Sequence, residues 1–315
     1  MNNKNPVAVI ALGGNAILRK QDRGTIDEQI KNIMSCSDSI IGLIEKGFKV
    51  ILTHGNGPQV GRSLLKSEIS SHIVPPYPLD ACGAETQGLL GYIIQQTLKS
   101  KLEKRGIYKE IATVITQVIV DKNDDAFNKP TKPIGRFYTK EEADEISKRT
   151  GASVIEDSGR GYRKVVPSPK PKTIVEKQII KVLLENDIVV IAAGGGGVPV
   201  VKENERLLGV EAVIDKDYAS GTLAKELDAD YFIILTSVEN VALNYKQRNQ
   251  KDLSVLTVAD ARAYLNAGQF PQGSMGPKIE ASVDFIESGG KYAVITSIEK
   301  LSEALDGKAG TRITR

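Results

Sequence analysis

Three times along this chain an apolar, β-branched run ends in glycine: VIALGGNA at 9–16, ILTHGNGPQVG at 51–61 and VVIAAGGGGVPVV at 189–201. Each reads as a buried strand delivering a turn whose backbone another molecule can approach closely. In an open α/β sheet, ligands sit at the carboxyl ends of the strands, where main-chain N–H groups and helix N-termini face an anion. One such turn is weak evidence, because glycine after a strand often only reverses the chain. Three together point to a phosphate-bearing ligand and place the fold in the α/β class.

Apolar runs near 7–12, 48–53, 111–120, 188–193, 231–236 and 292–296 alternate with longer segments of helical period, the pattern of a largely parallel sheet. Ile26, Ile30, Ile33, Ile40 and Ile44 form one helical stripe, and Leu90, Ile94, Leu98 and Leu102 form another; both are expected to pack on the sheet. A later helix is expected to start near Pro277 and carry Ile279, Val283 and Ile286 inward. Between about 122 and 172 the rhythm breaks into proline-rich, polar stretches, NKPTKPIGRFY and PSPKPK. They flank a short helical stretch near 139–150 and strand-like runs near 153–156 and 163–166, which together read as an inserted subdomain or lid on a single domain spanning 1–315.

Composition narrows the partners. With 315 residues, 41% of them hydrophobic, the chain can bury a sizeable core, and 42 Lys and Arg against 39 Asp and Glu leave a formal charge of only +3. Nucleic-acid binding by counterion release asks for a much larger basic excess, so the partner is expected to be a small molecule. Cys36 and Cys82 stand far apart with no C-x-x-C, which argues against a disulfide framework or zinc site and for a reducing, cytoplasmic compartment. The opening MNNKNPVAVIALGG has too short an apolar run for a secretory h-region, and no apolar segment reaches the ~20 residues of a membrane span.

Familiar phosphate motifs fail in detail. No stretch matches the P-loop G-x-x-x-x-G-K-[ST], so the first turn brings no lysine of its own. The dinucleotide fingerprint G-x-G-x-x-G is broken as well: in GNGPQVG the third glycine, Gly61, comes one place late, and in AGGGGVPV its place falls on Pro199. A nicotinamide-dependent dehydrogenase is therefore poorly supported. Phosphoryl transfer asks chiefly for positioning and charge neutralisation, and lysines beyond the glycine turns can supply the charge. Three stand out: Lys132 in PTKPIG, Lys216 in VIDKDYASGTLA and Lys278 in GSMGPKIEA. Lys216 lies between Asp215 and Asp217, which could orient it, and Lys278 follows Gly-Pro. Both fall at expected helix starts, where a cation opposes the dipole and an anion must offset it.

Taken together, VIALGGNA, THGNGPQVG, LDACGAETQGLLGY, ITQVIVDKNDDAF, PTKPIGRFY, EDSGRGYRKVVPSPKPK, VIAAGGGGVPV, GVEAVIDKDYASGTLA and GSMGPKIEA resemble the carbamate kinases, a branch of the amino-acid kinase fold group, over essentially the whole chain. The resemblance implies an open αβα sandwich that forms a homodimer, with a small protruding subdomain inserted at 122–172. It further implies reversible transfer of the γ-phosphoryl of MgATP to carbamate, run toward ATP in the arginine deiminase route.

Motif by motif, the resemblance implies that Gly13, Gly14 and Asn15 hold phosphoryl oxygens, and that Gly55, Asn56 and Gly57 hold the carbamoyl group by main-chain donors. Lys132, Lys216 and Lys278 become the catalytic cations, organised by Asp217, which is also the candidate Mg2+ ligand. Gly195, Gly196, Thr236, Val238, Ala242, Tyr245, Met275 and Gly276 are assigned to the nucleotide. Many relatives outside this branch carry Lys two places before the first Gly-Gly; here Ala11 stands there, so the charge must come from elsewhere in the fold. Carbamate is already an anion and needs no base, which accounts for the lack of an obvious catalytic histidine. His54 could contact substrate or simply end a strand, and His72 is expected at the surface. Alternatives are a kinase for another small carboxylate and a nucleotide-binding module without turnover.

Overall fold

The computed structural model describes residues 5–19, 21–157, 159 and 161–315. The chain opens β1 (Val7–Leu12), α1 (Ile26–Glu45), β2 (Lys49–His54), α2 (Gly57–Ser70), α3 (Leu79–Lys104), β3 (Ile111–Thr113) and β4 (Gln117–Val120). Next come β5 (Lys132–Tyr138), α4 (Lys140–Thr150), β6 (Val154–Glu156), β7 (Tyr162–Val166), β8 (Pro171–Ile174), α5 (Lys177–Glu185), β9 (Val189–Ile191), β10 (Val198–Glu203) and β11 (Arg206–Gly209). It closes with α6 (Lys216–Glu226), β12 (Tyr231–Thr236), β13 (Val241–Leu243), β14 (Lys251–Leu253), β15 (Val255–Thr257), α7 (Val258–Asn266), α8 (Met275–Glu287), β16 (Tyr292–Ser297), α9 (Leu301–Leu305) and β17 (Thr311–Thr314).

An eight-stranded sheet in the order β15-β17-β16-β12-β1-β2-β9-β3 forms the centre, parallel except where β17 runs against β16. Side chains alternate across β1: Val9 and Ala11 join the core beneath α6 and α8, while Ala8, Ile10 and Leu12 join the one beneath α1 and α3. Helices therefore cover both faces, as a parallel sheet requires. α1 begins at a capping box in which the Thr25 hydroxyl accepts from the Glu28 N–H at 3.2 Å and the Glu28 carboxylate accepts from the Thr25 N–H at 2.9 Å. Ile33, Ile40 and Ile44 of its stripe are buried as expected, whereas Ile26, in the exposed first turn, is not.

The run at 111–120 is not one strand. β3 joins the main sheet, but β4 joins a second sheet in the order β11-β10-β4-β8. Gln87 of α3 stands at the break. Its amide accepts the Thr116 N–H at 2.9 Å and donates to the Thr116 carbonyl at 3.1 Å, replacing a strand partner with a side chain.

Within 122–172, residues 132–166 build an antiparallel sheet, β5-β7-β6, with α4 alongside. Another capping box, Thr139 with Glu142, starts α4, and Gly151 in the left-handed region (φ 70°) ends it. This sheet meets the body on α2, where Gly61 faces Gly135. A Cβ on Gly61 would come 2.4 Å from the Gly135 Cα, so the two backbones touch directly. A small apolar cluster, Val60, Leu79, Cys82, Ile134 and Val166, lies beneath the junction.

Candidate active site

At the carboxyl ends of β1, β2, β9 and β12 the glycine turns line one cleft of about 880 Å³. Gly13, Gly14, Gly55, Asn56, Gly57 and Gly195 form its floor, and Lys132, Asp215, Lys216, Asp217 and Lys278 also line it. The backbone turn at Gly14–Ala16 includes Asn15, whose side chain lies outside the described residues. α2, α6 and α8 all place their first turns at the cleft, through Gly57 and Pro58, Lys216 and Asp217, and Lys278 with Ser274. Three helix N-termini thus add partial positive charge to the glycine amides.

The lysines arrive from three distant segments and are gathered by two carboxylates. Asp217, with its side chain only 4% exposed, takes Lys216 Nζ on one oxygen at 2.5 Å and Lys278 Nζ on the other at 2.8 Å. Asp215 takes Lys132 Nζ at 2.6 Å and uses its second oxygen to cap α6, accepting the Asp217 N–H at 2.9 Å. The two aspartates that flank Lys216 in sequence therefore have different duties: Asp217 binds it, whereas Asp215 reaches Lys132, 83 positions away. Lys216 extends its stem across Gly55, where an added Cβ would lie 3.6 Å from Lys Cδ. Ala11 is fully buried in β1, so α6 supplies over the turn the ammonium that the strand lacks.

Burial pushes the Lys216 ammonium below the ordinary lysine range, with Asp217 pulling the other way and Lys278 adding to the fall. Burial would raise the Asp217 carboxyl, but Lys216 and Lys278 together hold it below the usual carboxylate range. Three ammonium groups face two carboxylates here, which leaves the cluster one negative charge short. That deficit favours an anionic ligand between the lysines and the glycine amides.

His54 is buried and does not line the cleft. Its Nδ1 lies 3.1 Å from the Gly55 carbonyl, and its ring fills the space where a Gly194 Cβ would stand 2.4 Å from Nε2. Burial lowers its pKa to about 4, so it is neutral and structural. His72 is exposed. Of the residues assigned to the nucleotide, Gly195 and Thr236 line the cleft; Gly196, Val238, Ala242, Tyr245, Met275 and Gly276 do not, and Gly273, Ser274 and Ser237 line it in their neighbourhood. Gly196 is buried against Ile214, Ala242 is buried in β13, Tyr245 is half exposed, and Met275 packs against the main core.

The profile of the amino acid kinase family matches residues 6–297. The carbamate kinase of Thermococcus kodakarensis is 50% identical over 98% of each chain, and carbamate kinase 2 of Enterococcus faecalis is 51% identical over 98% of each. The chain belongs to the amino acid kinase family, in its carbamate kinase branch. Among solved structures, the Giardia lamblia carbamate kinase bound to AMP-PNP superimposes on this kinase with a TM-score of 0.92, at 43% identity and 98% coverage of both chains. The open αβα architecture with its largely parallel sheet is that of the family.

Two pairings in this kinase escaped sequence reasoning. Asp215 was visible beside Lys216, but nothing local names Lys132 as its partner. Thr86, on α3, binds the Asn56 amide at 2.8 Å, and no spacing rule singles it out.

Proposed function

We propose that this chain is an ATP:carbamate phosphotransferase that moves a phosphoryl group reversibly between ATP and carbamate, giving carbamoyl phosphate and ADP. The observation that carries the reading is the convergence of Lys132, Lys216 and Lys278 on the glycine turns through Asp215 and Asp217. The carbamate oxygen attacks phosphorus in line, and its negative charge removes the need for a base. Lys216, Lys278 and the glycine amides neutralise the charge spread over the transferring oxygens. Lys132, carried by the β5-β7-β6 sheet, closes on the same oxygens, so that sheet acts as a lid.

Asp217 does not fit a metal ligand as it stands, because both its oxygens hold lysines. Magnesium therefore enters as part of the substrate, MgATP, bound to the nucleotide's own phosphates. The name shared by the relatives supports work in arginine breakdown, where carbamoyl phosphate is spent to make ATP. Two buried free cysteines suit the reducing cytoplasm. Among the described residues no helix is long and apolar enough to cross a membrane. We further propose a homodimer on the strength of the family resemblance, with sedimentation as its check.

The reading is tested by supplying ADP, magnesium and carbamoyl phosphate and measuring ATP, with acetyl and glutamyl phosphates as comparison donors. ATP formation fastest with carbamoyl phosphate is expected. Preference for another acyl phosphate, or nucleotide binding without turnover, would overturn it.

A further inference from the structure

The segment that returns from β7 to β8 carries an ion pair that the chemistry does not use. Lys170 Nζ donates to Glu280 Oε1 of α8, and the other oxygen of that carboxylate accepts the Tyr218 hydroxyl of α6. The ammonium also lies 4.7 Å from the centre of the Tyr218 ring, where a ring face attracts a cation. Burial would raise the Glu280 carboxyl, but Lys170 and Tyr218 together hold it below the usual carboxylate range, so it stays charged. None of these three residues lines the cleft.

Their neighbours do. Tyr218 follows Asp217 on α6, and Glu280 stands two places beyond Lys278 on α8, so the Tyr218–Glu280 bond lies beside the Asp217–Lys278 pair where the two helices cross. Farther along the crossing Gly221 meets Ala281, and an added Cβ would stand 3.2 Å from the Ala281 Cβ. Lys170 is joined to the other stem of the insertion as well, because its main-chain N–H donates to Asp124 Oδ2 at 3.0 Å. Close by, the Pro167 carbonyl accepts the Val213 N–H at 3.0 Å. The β5-β7-β6 sheet thus reaches the α6–α8 wall through a lysine at its entry, Lys132 on Asp215, and one beyond its exit, Lys170 on Glu280.

A phosphoryl group arriving in the cleft treats the two pairs differently. Lys132 lines the cleft and must share or leave Asp215 to meet phosphoryl oxygens, whereas Glu280 stands outside it and keeps its cation. We propose that Lys170 and Glu280 are positioning residues: their pair keeps the base of the lid on α8 while Lys132 turns from Asp215 to the transferring phosphoryl. The proposal rests on the phosphotransferase reading above. The Lys170 side chain is 60% exposed, and such a pair adds little to stability, so its loss should be felt in catalysis and not in folding.

The test measures kcat and the KM for ADP in ATP formation from carbamoyl phosphate, with urea midpoints alongside. The variants are Lys170→Met, Lys170→Arg, Glu280→Gln, and Lys170→Met combined with Lys132→Ala. Lys170→Met and Glu280→Gln are each expected to lower kcat about three- to tenfold, with KM and the urea midpoint nearly unchanged. Lys170→Arg, which keeps a cation for the carboxylate and the ring, should recover most of the lost kcat. Adding Lys170→Met to Lys132→Ala should cost nothing further, because the pair acts only through Lys132. Should Glu280→Gln unfold, the exposed Lys170 carries the same readout. Unchanged kcat in Lys170→Met, or a loss that multiplies with that of Lys132→Ala, would overturn the proposal. A wild type that makes no ATP from carbamoyl phosphate would instead bring down the phosphotransferase reading itself, and this inference with it.

Discussion

Two walls of the cleft deliver lysines by opposite means. On the α6–α8 side, Lys216 and Lys278 have side chains 13% exposed and share one nearly buried carboxylate. Their helices are seated in the main core: Ala219 and Leu223 of α6, and Ile279 and Val283 of α8, are fully buried. On the β5–β7–β6 side, Lys132 is 31% exposed, and the sheet that bears it rests on the small cluster around Ile134 and Val166. Its other ties to the body include the exposed Lys164–Glu68 pair, a kind of contact that contributes little in water. One wall holds its charge on helices seated in the main core, and the other carries it on a thinly packed sheet. Positioning that must be ready before reaction belongs in a well-packed core, whereas a part that has to open needs shallow contacts.

Replacing Lys216 by Ala strikes the fixed wall and carries the largest expected effect, a fall in kcat of about 10²–10³-fold with the fold retained. Steady-state kinetics beside a circular dichroism spectrum check it, and near-normal turnover would remove Lys216 from the chemistry. Lys132→Ala strikes the docking wall and is expected to lower kcat roughly tenfold while ATP binding changes little, since a more exposed cation is more screened. Weakened nucleotide affinity with normal kcat at saturation would mean the two walls do not divide the work in this way.

Gly61→Ala tests the joint between them. The new methyl collides with Gly135 backbone, so β5 must shift; a loss of about 1–3 kcal/mol of stability is expected. A several-fold fall in kcat, no further reduced when Lys132→Ala is added, would tie that shift to Lys132. Additive losses would separate the two.

The smallest effect concerns His54, beneath the glycine floor. Burial lowers its pKa from 6.5 to about 4, so the unfolded chain binds the proton more readily than the native one. Stability from the neutral ring is complete above pH 6.5 and is lost as pH falls toward 4. Urea midpoints followed across the window should fall less steeply in His54→Asn than in the wild type, and equal slopes would show that other groups carry the acid dependence.

Much of this was legible in the residues. Strand runs ending in glycine announced the sheet and its ligand edge because burial on both faces leaves a continuous apolar string and close approach leaves glycine. The helical stretch near 139–150 was equally local, and Thr139 with Glu142 closes its first turn. The split of 111–120 was not, since Gln87 lies on another helix and makes its bonds only once α3 has docked. Nor was the exchange of partners between Asp215 and Asp217: adjacency suggested that both held Lys216, but Asp215 turns one oxygen onto the first turn of its own helix and leaves the other for the cation that the fold brings there.

By itself, then, the sequence determined the periodicities, the helix starts, the flexible turns and the stock of charges, all properties of residues within a few places of one another. Which ammonium meets which carboxylate, and whether Lys132 lines the same cleft as the glycine turns, were decided only by the tertiary structure. The physical reason is range: backbone preferences act over one helical turn, whereas the charge cluster joins residues 132, 215, 217 and 278, which meet only when the helices of the parallel sheet and the β5-β7-β6 sheet pack around one cleft.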